Sequence, residues 1–277
     1  MVILITCYGT RWRTLVQKMT FWEHLAELRN CLIRIGVTIG AVSVFFFLFG
    51  LRYGELFGYR IVYPYPDMTN NISNLVFLQI KADLLPSNIQ LFPVKLIDPI
   101  LINVQISLFL GIACSTPMIF IQMGYFVGPG LYQHERRAIK LIAIPATFLF
   151  ILGCFFSYYI ITPFMIDFMY LYIESMGTLQ MVSIGDFISF VLMMTLAFGL
   201  IFELPIFMIG LTKIGLISAD FWKRHWRGAV IIMVIVGAVI TPDGSGITQM
   251  VVAIPMMVLY LVGYLGARYV ETRKFKV

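Results

Sequence analysis

Two carboxylates in this chain stand where carboxylates are costly or conspicuous, and they frame what it could do. The first, Glu135, lies in the string Phe126-Val-Gly-Pro-Gly-Leu-Tyr-Gln-His-Glu135-Arg-Arg137, the first strongly polar break after two long apolar runs. A carboxylate flanked by aromatics can grip a guanidinium through two parallel hydrogen bonds, which an ammonium cannot match. It can equally do no more than favour the N-terminus of the following helix in a solvated turn. The second, Glu203, sits inside an apolar run two residues before Pro205. A charge within a membrane span costs about 2.5–3.5 kcal/mol on insertion scales, so it faces a partner or water, or snorkels towards the Lys213 end. Pro205 adds a nearby backbone carbonyl that needs a partner of its own.

Other chemistries are poorly served. The three histidines, His24, His134 and His225, all fall near basic segments at one surface, whereas a haem or two-metal centre in a bundle needs imidazoles facing one another between helices. Ser245 lies in the glycine-rich turn Thr241-Pro-Asp-Gly-Ser-Gly246, but no histidine is near enough to act as its base. No phosphate-binding loop, dinucleotide fingerprint or metal-ligand spacing is present, so the reading is of a protein that is not an enzyme and carries no cofactor. Cys7, Cys31, Cys114 and Cys154 are far apart and form no C-x-x-C pair.

The elements that would position these groups are membrane helices. Of the 277 residues 60% are hydrophobic and only 12% charged, and the mean hydropathy is +0.90. A soluble domain carries roughly 25% charged residues, and the near-continuous apolar runs exclude barrel strands. Six spans are expected, near 32–51, 99–123, 139–161, 187–211, 228–240 and 247–267. The first follows a capping box at Thr20-Phe-Trp-Glu23, the second is bent at Pro117, and the third ends at Pro163. The fifth is short, about 20 Å at helical rise. Residues 52–97 form a sizeable outer loop with a short helix near 75–85, and Asn71-Ile-Ser73 matches a glycosylation sequon that carries no weight alone. With both termini inside, sixteen of the twenty Lys and Arg residues lie on the inner side and four (Arg52, Arg60, Lys81, Lys95) outside. The net charge of +6 therefore reflects topology and calls for no nucleic-acid partner. No cleavable signal peptide is apparent. One membrane domain is expected, with a mobile segment at 1–19 and a basic tail at 268–277.

Taken together, the motifs resemble the TatC family, the multi-spanning receptor subunits of twin-arginine protein translocases. They are His24-Leu-x-Glu27-Leu-Arg29, the 126–137 string, Phe202-Glu203-x-Pro205, and Thr241-Pro242 with Gln249. The resemblance implies an all-α bundle of six transmembrane helices, with short fifth and sixth helices. It implies recognition of the twin-arginine signal peptide of folded cargo, with Glu135 contacting the arginines and Phe126 lining the same site. Glu27, Arg29, His24 and Arg137 match the inner-surface patch around it. Glu203, with Pro205 and Gln249, matches the intramembrane place where the signal hairpin and small single-span subunits of the TatA and TatB type meet. A homo-oligomer in contact with membrane lipid is implied as well. One departure concerns Asp243, which stands six residues before Gln249 where the family pattern has four, so Asp243 is given no role.

Two other classes compete. A small secondary transporter would use Glu203 as a proton carrier, although such proteins show internal repeats and none is visible here. A passive assembly subunit of a respiratory complex is the other. The 24 Phe and 14 Tyr residues point to an AT-rich genome. That tips the expected location towards a mitochondrial inner membrane, with a bacterial plasma membrane close behind.

Overall fold

Apolar length decides the architecture. The computed structural model describes residues 21–56, 59–86, 89–127, 136–177, 181–241 and 245–274. In chain order they form α1 (Phe21–Leu48), β1 (Phe49–Leu56), β2 (Tyr59–Pro66), α2 (Ile72–Leu84), β3 (Gln90–Phe92) and α3 (Asp98–Val127). There follow α4 (Arg136–Phe156), a π-helical turn (Ser157–Ile161), α5 (Thr162–Ser175), β4 (Met181–Ser183) and α6 (Ile184–Ile201). The chain closes with α7 (Leu204–Lys213), α8 (Ala219–Arg224), α9 (Trp226–Ile240) and α10 (Gly246–Lys274).

Among the described residues, five helical stretches are long and apolar enough to cross a membrane, and Trp226–Ile240 is a shorter apolar helix. At 15 residues α9 spans about 22 Å against a hydrocarbon core of about 30 Å, so the fifth span is short as expected. The sixth is longer than expected. Its apolar part ends near Ala267, but α10 runs 29 residues because Arg268, Arg273 and Lys274 of the basic tail continue the helix. The expected N-terminal segment 1–19, the cap residue Thr20, and Asp243 lie outside the described residues.

The third span does not stop at Pro163. A proline ring clashes with the carbonyl four residues back, and an ordinary helix would break there. Here the turn just before it widens: the Thr162 amide donates to Ser157 O, five residues back. Pro163 then sits in the first turn of α5, and the helix continues to Ser175.

The outer loop is built as a cap. β1 and β2 pair antiparallel from Phe49 opposite Pro66 to Leu56 opposite Tyr59. β3 and β4 pair parallel, Leu91 opposite Val182, which ties the outer end of α3 to that of α6. Asn71 is fully buried and caps α2. Its Oδ1 accepts from the Asn74 amide (2.7 Å), while Nδ2 donates to Phe47 O (2.8 Å) in the last turn of α1. Ser73 Oγ lies 3.3 Å from Phe46 O and 2.6 Å from Ser107 Oγ on α3. Carbonyls that a helix end leaves orphaned are thus answered by the cap. At the far end of α2, Tyr158 of the π-helical turn donates to Asp83 (2.8 Å).

Lipid supplies no hydrophobic drive between helices, so close contact must hold them. α1 lies along α3 and α10 along α7. α4 meets α6 where Gly153 lies against Phe198 O and the Phe202 side chain. One buried cluster joins Ile80 and Leu84 of α2 to Ile102, Ile106, Phe187 and Ile188. A second gathers Met165, Met194, Phe198, Met233, Val252 and Met256.

Candidate functional site

The inner ends of α1 and α3 bring three of the motif residues together. His24 and Glu27 are three apart and share one face of α1. Phe126 is in the last turn of α3, and its ring stacks on His24 with centroids 4.5 Å apart and planes 13° from parallel. Glu27 Oε2 lies 3.9 Å from His24 Nδ1, an ion-pair distance too long for a hydrogen bond. That oxygen is buried and has no hydrogen-bond partner among the described residues. The side chain as a whole is 37% exposed, so a donor arriving at the inner surface can reach the carboxylate. Arg29 is exposed and, two residues from Glu27, lies roughly 200° round the helix, outside this cluster. Arg137 lies in the first turn of α4. Glu135 and the Gly-Pro-Gly turn lie outside the described residues.

The second site is within the membrane. α6 ends at Ile201, the Glu203 amide reaches only three back to Leu200 O (3.1 Å), and α7 begins with Pro205 in its first turn. Glu203 therefore sits at a break between two helices, where the sequence placed an interruption. Its Oε1 is buried without a hydrogen-bond partner among the described residues. Gln249 is on a different seam: its side-chain amide donates to Val234 O (2.8 Å), clamping α10 to the short α9. Ser245 serves as a cap, with Oγ 2.7 Å from Thr248 Oγ1 and accepting the Thr248 amide at 3.3 Å.

Sequence reasoning missed an inner latch. Glu271 of α10 accepts the Ala219 amide at the start of α8 (3.0 Å), Trp222 Nε1 donates to Thr212 (3.1 Å), and Tyr260 donates to Trp222 O (2.7 Å). The Ser218 cap before α8 was the legible signal. The sequence separation of 52 from Ala219 to Glu271 hid the partner.

Comparison with known proteins decides the family. The family model "Sec-independent protein translocase protein (TatC)" matches residues 23–255. The chain belongs to the TatC family. It is 37% identical over 259 residues to the "Sec-independent protein translocase protein TatC" of Cenarchaeum symbiosum (strain A), covering 94% of this chain and 98% of that one. It is 31% identical to TatCy of Bacillus subtilis (strain 168), covering 91% and 90% of the two chains. The solved "Crystal Structure of Twin Arginine Translocase Receptor- TatC" superposes with a TM-score of 0.73 at 29% identity, over 90% of this chain and 99% of that one. A TatC family member is a multi-pass membrane protein of a protein-transport system, and the helical bundle described above is that family's fold.

Proposed function

We propose that this chain is the receptor and core subunit of a twin-arginine translocase. It holds the paired arginines of a signal peptide on folded cargo at its inner surface and supports export driven by the proton-motive force. Glu135 takes the guanidinium groups, Phe126, His24 and Glu27 wall the same site, Arg137 shapes its rim, and Arg29 belongs to the exposed inner surface on another side of α1. Glu203 and Pro205, with Gln249 bracing the neighbouring helices, receive the signal hairpin and small single-span subunits of the TatA and TatB type. The chain works as a homo-oligomer within one membrane domain. The observation that most supports the reading is the Glu27 oxygen, buried beside the His24–Phe126 stack with no partner among the described residues. Two arginines cannot be gripped by apolar contact, and a planar fork matched to a carboxylate separates Arg from Lys.

The relatives are mostly bacterial and lend no support to a mitochondrial preference. An energised plasma membrane is the location we propose. The deciding experiment compares a twin-arginine peptide with its twin-lysine counterpart on the detergent-solubilised protein. The arginine form binds more tightly, and Glu135→Ala abolishes the preference while thermal unfolding is unchanged. Equal binding of both peptides by the unmodified protein overturns the assignment.

A further inference from the structure

Neither site uses the loop between β3 and the first turn of α3, yet it presents apolar side chains outward. Val94, Leu96 and Ile97 are 61%, 102% and 52% exposed. The loop is tied at both ends. The Asp98 carboxylate accepts the backbone amides of Val94 and Lys95, each at 2.8 Å, and the Asp98 amide donates to Lys95 O at 3.1 Å. On the other side, β3 is paired to β4. Leu96 is therefore held out by a fixed turn.

What covers it follows from register. Ile97, Ile100, Leu101, Val104 and Leu108 are all exposed and recur at helical spacing, so they form one stripe of α3, while Ile102 and Ile106 of the opposite face are buried. On a helix that crosses a bilayer, an exposed apolar stripe of this kind matches acyl chains in polarity. The loop continues it upward without a polar interruption other than Lys95 and the turn-capping Asp98. At 30 residues α3 is about 45 Å long, about the full bilayer thickness with headgroups, which puts the loop at headgroup depth.

We propose that residues 93–97 are an interfacial anchor. Val94, Leu96 and Ile97 lie among the outer-leaflet headgroups with their side chains against the carbonyl ends of the acyl chains, and Lys95 extends its stem along them to meet a lipid phosphate. The anchor fixes the depth of α3 independently of any cargo or partner site.

The test uses the full chain in vesicles of phosphatidylethanolamine and phosphatidylglycerol. Leu96→Trp is compared with the parent, whose four tryptophans supply a background to subtract. The added emission is expected to be blue-shifted and quenched by lipids brominated near the carbonyl end of the acyl chain, but not by aqueous iodide. Val94→Trp gives the same reading should the first variant fail to fold. Water-like emission open to iodide overturns the proposal. Protection from both quenchers also overturns it, because a protein surface would then be covering the loop.

Discussion

His24 and Phe126 face each other ring on ring, 4.5 Å between centroids, and so join the inner end of the first membrane helix to that of the second. Glu27 Oε2 lies 3.9 Å from the His24 ring of this stack. Aromatic pairs of this kind contribute about 0.5–1.5 kcal/mol beyond area burial. Phe126→Ala is therefore expected to weaken twin-arginine peptide binding by about fivefold to tenfold through lost positioning, as measured by titration calorimetry, with Phe126→Tyr close to the parent. Glu27→Gln should weaken it too, because an amide cannot form the charge-assisted pair.

Glu203 makes the opposite kind of prediction for stability. A buried carboxylate oxygen without a donor is a burden on the isolated chain, worth about 1–3 kcal/mol. Glu203→Leu should raise the thermal midpoint in detergent by a few degrees, leave peptide binding intact and stop transport into inverted vesicles. A lower midpoint with full transport would remove the partner-contact role.

Asn71 separates capping from clamping. Asn71→Asp keeps the acceptor for the Asn74 amide but loses the donor to Phe47 O and buries a charge, whereas Asn71→Ala loses both bonds. Both are expected to lower stability by at least about 1–3 kcal/mol, with Asp no better than Ala. A helix cap alone would leave Asp near the parent, and thermal unfolding distinguishes the two. Burial of this side chain also means the Asn71-Ile-Ser73 sequon is closed to a glycosyl transferase in the folded protein.

Asp67, in the exposed turn after β2, gives a pH signature. The Asn70 amide, with the Thr69 hydroxyl and amide, holds its carboxyl at about 2, below the ordinary carboxylate value near 4. A depressed folded value means the contribution is complete above about pH 4 and fades as the pH falls towards 2. Asp67→Asn should flatten the fall in thermal midpoint across that window and leave the rest of the profile unchanged.

Gly153 and Gly40 form a matched pair. A Cβ at Gly153 would sit 2.5 Å from Phe198 O, a backbone atom that cannot yield without moving α6, while Gly40 has nothing within 4 Å. Gly153→Ala should destabilise by a few kcal/mol, in the range of overpacked cores, and Gly40→Ala should stabilise by up to about 1 kcal/mol through helix propensity. Thermal unfolding of the two variants side by side checks the α4–α6 contact.

The membrane spans were legible because hydropathy is a local property and the bilayer sets their length. The break at Glu203 was legible for the same reason, since a charge and a proline interrupt an otherwise apolar run. Pro163 was misleading because a widened turn absorbs it, and no local signal announces a π-helical turn. The hairpin of β1 and β2 was hidden among prolines and aromatics that also suit a loop. The inner cluster was only half legible: His24 and Glu27 share a visible helical spacing, but their meeting with Phe126 depends on how α1 lies along α3. Arg29, grouped with them by motif, is carried to another side of α1 by the helical turn.

The parallel pairing of β3 with β4 has a consequence for biogenesis. The two strands are about ninety residues apart in the chain, and two membrane crossings lie between them. At ribosomal speeds of about 5–20 residues per second, the first strand is synthesised several seconds before its mate. Two crossings must therefore insert before the lid over them can be fastened, which makes closing that lid a late checkpoint in this protein's assembly.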